Sequence, residues 1–125
     1  MITLELPVPP SGNHSYTTIA GRRVLSKKAQ AYRTHVGKLV LAERANKALD
    51  GRLQVTLLFM QSDNRRRDID NVVKPTLDAL QHAGVFIDDS QVDKLSIHRE
   101  NSLHMGLRVT ITEIPSHGSA QQLRR

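Results

Sequence analysis

The stretch Leu53-Gln54-Val55-Thr56-Leu57-Leu58-Phe59-Met60 constrains the fold most. It is strongly apolar, has the length of a strand, and lies between Asp50-Gly51 and the polar, basic run Ser62 to Arg67. It reads as a buried strand, and helical patterns flank it. From Lys27 to about Leu49, Ala29, Tyr32, Val36, Leu39, Val40, Ala42 and Ala45 recur near helical spacing. Ser26 is placed to cap that helix, and Asp50-Gly51 to end it. Asp68 to Ala83 reads as a second helix with Val72, Val73, Leu77, Leu80 and Ala83 on one side. Pro75 falls in its first turn or two, where proline is tolerated, and Gly84 is a natural stop.

The remaining segments are strand-like. Ile2-Thr3-Leu4-Glu5-Leu6 alternates with period two before Pro7, Pro9 and Pro10 interrupt it. Thr17 to Ile19 and Arg22 to Leu25 form a predicted hairpin about Ala20-Gly21. Val92 to Glu100 and Met105 to Ile114 read as a pair of strands around Asn101-Ser102. The order β, hairpin, α, β, α, β, β predicts a small α+β domain with a mixed or antiparallel sheet and two main helices, over residues 1–114. Residues 115–125 have little to bury and are expected to form a flexible tail.

Charge is unevenly distributed. Residues 1–60 carry nine Lys/Arg against three Asp/Glu, whereas residues 61–114 carry seven against nine. A basic half beside an acid-rich half suits a polyanion-binding surface next to a carboxylate cluster. The absence of cysteine excludes disulfides, zinc–thiolate sites and Cys nucleophiles, and fits a cytoplasmic protein. No apolar run approaches membrane-spanning length, and no signal segment is evident, so no membrane partner is expected. Four aromatic residues are too few for a base-stacking platform. The six histidines show no metal-ligand spacing.

Chemistry concentrates in Arg65-Arg66-Arg67-Asp68-Ile69-Asp70-Asn71-Val72-Val73-Lys74 and in Asp88-Asp89. Asp68 and Asp70 sit at a loop-to-helix junction, and Asp70 and Lys74 are expected to share a helix face at i,i+4. Two converging acidic pairs repel unless a cation lies between them. Oxygen donors without His or Cys favour Mg2+, or Mn2+. The chemistry such a set supports is metal-assisted phosphodiester hydrolysis. Lys74 would stabilise charge on phosphorus or orient water, and Arg65, Arg66 and Arg67 would hold backbone phosphates. Each piece alone also has an ordinary reading, as a capped helix start, a surface ion pair or a solvated loop.

Two other motifs are tested by spacing: the first fails, and the second matches in part. An EF-hand loop would need an oxygen ligand at Val72, glycine at Val73 and glutamate at Ala79. A haloacid-dehalogenase-type phosphatase motif matches Asp68-Ile69-Asp70-Asn71-Val72, but arginines precede it instead of a hydrophobic strand.

The sequence resembles the RusA family of Holliday junction resolvases, endonucleases of bacteria and their prophages. The likeness runs over roughly residues 2–114. It rests on Asp68-Ile69-Asp70-Asn71-Val72-Val73-Lys74, Asp78-Ala79-Leu80, Ala83-Gly84, Asp88-Asp89 and Gln91-Val92, together with Pro7-Val8-Pro9-Pro10-Ser11, Asn13, Ser26 and Gln30-Ala31-Tyr32-Arg33. The resemblance implies a homodimer that binds four-way DNA junctions and makes paired nicks in opposing strands with Mg2+. It implies catalytic roles for Asp68, Asp70, Lys74 and Asp89, metal binding by Asp68, Asp70 and Asp89, and an assisting place for Asp88. Asn13, Arg22, Arg23, Lys27, Lys28 and Arg33 join Arg65, Arg66 and Arg67 as candidate DNA contacts. The loop after the prolines is often basic in the family. Here it reads Asn13-His14-Ser15-Tyr16-Thr17-Thr18, with charge arriving at Arg22-Arg23. The competing classes are a non-catalytic protein that binds four-way junctions, and a small phosphatase or RNase.

Overall fold

In the computed structural model, which describes residues 1–11 and 15–115, the apolar stretch is an inner strand, β4 (Leu53–Gln61). It belongs to a four-stranded sheet with β1 (Ile2–Leu6), β5 (Val92–Asn101) and β6 (Gly106–Glu113), ordered β1-β6-β4-β5. β6 is antiparallel to both β1 and β4, whereas β5 runs parallel to β4, so the sheet is mixed. Leu53, Val55, Leu57 and Phe59 are fully buried at alternate positions, and Gln54, Thr56, Leu58 and Met60 between them face the less covered side. Register aligns Leu57 with Val109 and Phe59 with Leu107, and continues to Leu4 and Leu6 on β1.

Helices α1 (Lys27–Ala42) and α2 (Val73–His82) close this row into one core. Ser26 caps α1 as predicted, its hydroxyl accepting the Ala29 N–H at 3.2 Å. Ala29, Tyr32, Val36 and Val40 line the buried stripe of α1; Leu77, Ala79 and Leu80 do the same for α2. Tyr32 donates its hydroxyl to the Pro7 carbonyl at 2.7 Å. That bond fixes the proline segment against α1, and burial pushes the phenol well above its ordinary pKa. The predicted hairpin is present as β2 (Tyr16–Ile19) and β3 (Arg22–Leu25), a separate two-stranded sheet.

Three expectations need correction. α1 ends at Ala42, seven residues short of Leu49. The Arg44 N–H reaches the Leu41 carbonyl, the Ala45 N–H reaches the Val40 carbonyl, and Arg44 adopts φ +55°, closing a Schellman stop without glycine. The apolar pattern continued because Ala45 and Leu49 remain against the core after the helix has ended. The second helix does not begin at Asp68: a 3-10 turn, Ile69–Val72, precedes α2. Its C-terminal end is as predicted, with Gly84 at φ +85° and the Val85 N–H bonded to the Leu80 carbonyl. Finally, β5 and β6 do not pair with each other. β4 lies between them, because β5 joins it by a parallel connection through α2.

Candidate active site

The whole acidic and basic motif lies in the connection between parallel neighbours β4 and β5, residues 62–91. Its first part is a polar loop braced from below. Buried Gln61, the last residue of β4, donates its amide to the carbonyls of Asp63 and Arg65, each at 2.9 Å. The Asp63 carboxylate accepts two bonds from Arg67, at 2.6 and 3.1 Å, and one from the Arg65 backbone N–H. The Arg67 hydrogen bonds, foremost, hold the Asp63 carboxyl down at about 2. The Arg67 guanidinium also lies 5.9 Å from the centre of the Phe59 ring, and the Arg67 carbonyl accepts from Arg99 at 2.6 Å. Arg67 is therefore a brace of this loop, while Arg65 and Arg66 stay exposed.

These arginines, with Asp68 and Asn71, line a cleft of about 530 Å3 whose other wall is Val8, Pro9 and Ser11. Asp68 is exposed and its side chain makes no cap bond to the 3-10 turn it precedes. Its carbonyl accepts the Asn71 N–H at 3.1 Å. Asp70 is exposed in the first turn. Among the described residues no ion pair joins Asp70 to Lys74. The 3-10 turn advances about 120° per residue instead of 100°, which takes Asp70 off the i,i+4 row of α2.

Lys74 instead meets the second acidic pair. Its ammonium lies 3.0 Å from Asp78 Oδ1, one turn on, and 3.1 Å from Asp89 Oδ2, fifteen residues on. The two carboxylates, Asp78 first, raise the Lys74 pKa and keep the ammonium charged. Asp89 opens a second 3-10 turn, Asp89–Gln91. Its N–H donates to Gln81 Oε1 at 2.9 Å, so Lys74, Asp78 and Gln81 form one row of α2 facing this turn. Asp88 is occupied differently. Its carboxylate accepts the Ser90 N–H at 2.9 Å, which lowers its pKa, and Gln91 returns a bond to the Asp88 N–H to complete a capping box.

Thus Lys74 is joined to Asp89, and Asp68 to Arg65, Arg66 and Arg67 around the cleft. Other predicted DNA contacts lie apart. Arg22 and Arg23 are exposed on β3, with Arg23 stacked 4.6 Å from the Tyr16 ring centre. Lys27 and Lys28 are exposed in the first turn of α1, and Arg33 is half-buried near Asp78. Asn13 and the segment 116–125 lie outside the described residues. Among the described residues, no three His, Cys, Asp or Glu side chains gather closely enough to hold a metal ion by themselves.

The sequence reading gave Asp78 and Gln91 no role beyond the family likeness, and passed over Gln61 and Gln81. Two signals were available. Asp78 and Gln81 fall on the face of Lys74 at i+4 and i+7, and Asp88 with Gln91 has the spacing of a capping box.

Comparison with known proteins places this geometry in a family. The family described as Endodeoxyribonuclease RusA matches residues 6–112. The chain is similar to the crossover junction endodeoxyribonuclease of Enterobacteria phage 82, 35% identical over 112 residues, or 89% of this chain and 93% of the relative. It is likewise similar to that of Escherichia coli K12, 34% identical over 113 residues, covering 90% and 94%. The enzyme of Enterobacteria phage HK97 is 35% identical over 112 residues, covering 89% and 93%. With the match running from the end of β1 almost to the end of β6, and with relatives aligned over nearly their full length, the chain belongs to the RusA family of endodeoxyribonucleases.

Proposed function

We propose that this protein is a crossover junction endodeoxyribonuclease, which hydrolyses phosphodiesters in opposing strands of a four-way DNA junction and so resolves it during recombination and repair. The observation that carries the reading is the Lys74–Asp89 pair, which joins the two halves of the acidic motif across fifteen residues. A cation beside a carboxylate, near a cleft walled by arginines, suits a polyanionic substrate.

The donor set fits Mg2+, or Mn2+. Asp68, Asp70 and Asp89 offer only oxygen, and Mg2+ typically takes one or two carboxylates plus substrate phosphate and water. A closed cage of three protein ligands is therefore not required. One or two of Asp68, Asp70 and Asp89 would hold the ion together with substrate phosphate and water, with Asp88 beside them. When bound, the ion supplies Lewis-acid polarisation of the scissile phosphoryl group. The chain supplies the rest. Lys74 offsets charge growing on phosphorus, and Arg65 and Arg66 hold neighbouring phosphates in the cleft. Arg22, Arg23, Lys27, Lys28, Arg33 and Asn13 extend the contact along the junction arms.

Two symmetric nicks need two symmetric sites, and a two-fold homodimer supplies them. No helix among the described residues is long and apolar enough to cross a membrane. The site of action is the bacterial cytoplasm, where junction DNA is found. Residues 1–114 form the nuclease domain.

The test is cleavage of a labelled synthetic four-way junction beside a linear duplex of the same sequence, with Mg2+, with EDTA, and with Asp70→Asn. Paired nicks confined to the junction, dependent on Mg2+ and lost in the variant with binding retained, are expected. Tight junction binding without product in either Mg2+ or Mn2+ would instead make this a non-catalytic junction-binding protein.

A further inference from the structure

We propose that Asp78 is a positioning residue which holds the Lys74 ammonium in place for the reaction, an inference that rests on the nuclease reading above. Lys74 touches two carboxylates at nearly equal distance, 3.0 Å to Asp78 and 3.1 Å to Asp89. Those two acids are built differently. Asp89 sits on a short 3-10 turn and belongs to the proposed cation-binding set, so a bound ion would compete with Lys74 for its carboxylate. Asp78 lies on α2 itself, one turn from Lys74, and lines a tight crevice with Tyr32, Arg33 and Pro75. Its side chain is 18% exposed, against 31% for Asp89 and 64% for Lys74.

The consequence is mechanical. A lysine side chain has four rotatable bonds and loses considerable freedom when fixed. With Asp89 engaged by a bound ion, Asp78 would be the acceptor that keeps the ammonium near its observed place. The carboxylate is shielded and rigidly based, and among the described residues its ion pair is with Lys74, so it acts as a tether. Asp78 touches no reacting atom; it acts through Lys74.

The experiment has two arms. Single-turnover cleavage of the junction is measured for wild type, Asp78→Asn and Asp78→Glu, with junction affinity measured separately in EDTA. A displaced ammonium predicts a rate constant about 10- to 100-fold lower in Asp78→Asn, at unchanged affinity. Asp78→Glu, which keeps an i,i+4 anion, recovers most of that loss. The second arm needs no activity. The Lys74 ammonium is observed by nitrogen-detected NMR of the free protein, where a fixed ammonium exchanges slowly enough to be seen. Asp78→Asn weakens that signal even with Asp89 intact, and the double variant Asp78→Asn, Asp89→Asn removes it. Wild-type rates in Asp78→Asn, or equal loss of affinity and rate, would overturn the proposal, as would an ammonium signal that depends on Asp89 alone. If the wild type cuts no junction, the nuclease reading fails, and the NMR arm still decides whether Asp78 holds Lys74.

Discussion

Gln91 grips the peptide of Asp88 from within the core: its Oε1 accepts the Asp88 N–H at 2.8 Å and the Ile87 N–H at 3.0 Å. The amide nitrogen of the same side chain donates to the carbonyls of Leu49 and Gly51, at 2.9 and 2.7 Å. One buried side chain thus satisfies four backbone groups and fixes the turn that carries Asp89. Removing it strands groups that were paired inside the protein, and each stranded group costs about 1–3 kcal/mol unless water reaches it. Gln91→Ala is expected to lower stability by about 2–4 kcal/mol in urea denaturation. Junction cleavage should fall further than the loss of folded protein accounts for, because the aspartate turn loosens.

Arg65 and Arg66 are the exposed cations of the cleft. Each phosphate contact contributes about 0.9 to the slope of log affinity against log salt. The double variant Arg65→Ala, Arg66→Ala should therefore bind junctions more weakly and reduce that slope by about 2. An unchanged slope would place phosphate binding elsewhere.

Arg67 should behave differently from its neighbours. Its bonds hold the Asp63 carboxyl at about 2, against an ordinary 3.8. A depressed carboxyl pKa means that the pair's contribution is complete above the ordinary value and is lost as pH falls toward 2. The Asp63 carboxyl carbon, followed by NMR, should titrate near 2 in the wild type and rise toward the ordinary 3.8 in Arg67→Ala. The pair is exposed, so the global unfolding midpoint should move little.

Lys74→Met removes the ammonium and leaves the row of α2 intact. Loss of one group that stabilises a transition-state charge typically costs 10²- to 10³-fold in rate. Cleavage should fall by about that factor, while junction affinity in EDTA stays near the wild-type value. Equal losses in both would make Lys74 a simple phosphate contact.

The local parts of this molecule were legible in the sequence. Strand alternation located β1, the apolar run located β4, and Ser26 and Gly84 marked a helix start and a helix end. Asp68, Asp70, Lys74 and the pair Asp88-Asp89 stood out because like charges gather there, and the likeness to the family ranked Asp89 above Asp88. What stayed hidden was non-local or unmarked. Arg44 stops α1 with a positive φ that no residue type signals, whereas Gly84 does the same for α2 visibly. The insertion of β6 between β1 and β4 depends on pairings between distant segments. The partner of Lys74 hinged on whether residues 69–72 wind as 3-10 or α, a choice that local pattern leaves open. Glutamines escape notice because their type signals neither charge nor apolar burial, yet Gln61, Gln81 and Gln91 brace both loops of the site.

The position of β6 has a consequence for how the protein comes into being. It is the last described strand to leave the ribosome, and it supplies the pairing edge for both β1 and β4. Until it arrives, β1 has no strand partner and β4 pairs with β5 alone, so the sheet that carries the β4–β5 connection is completed last.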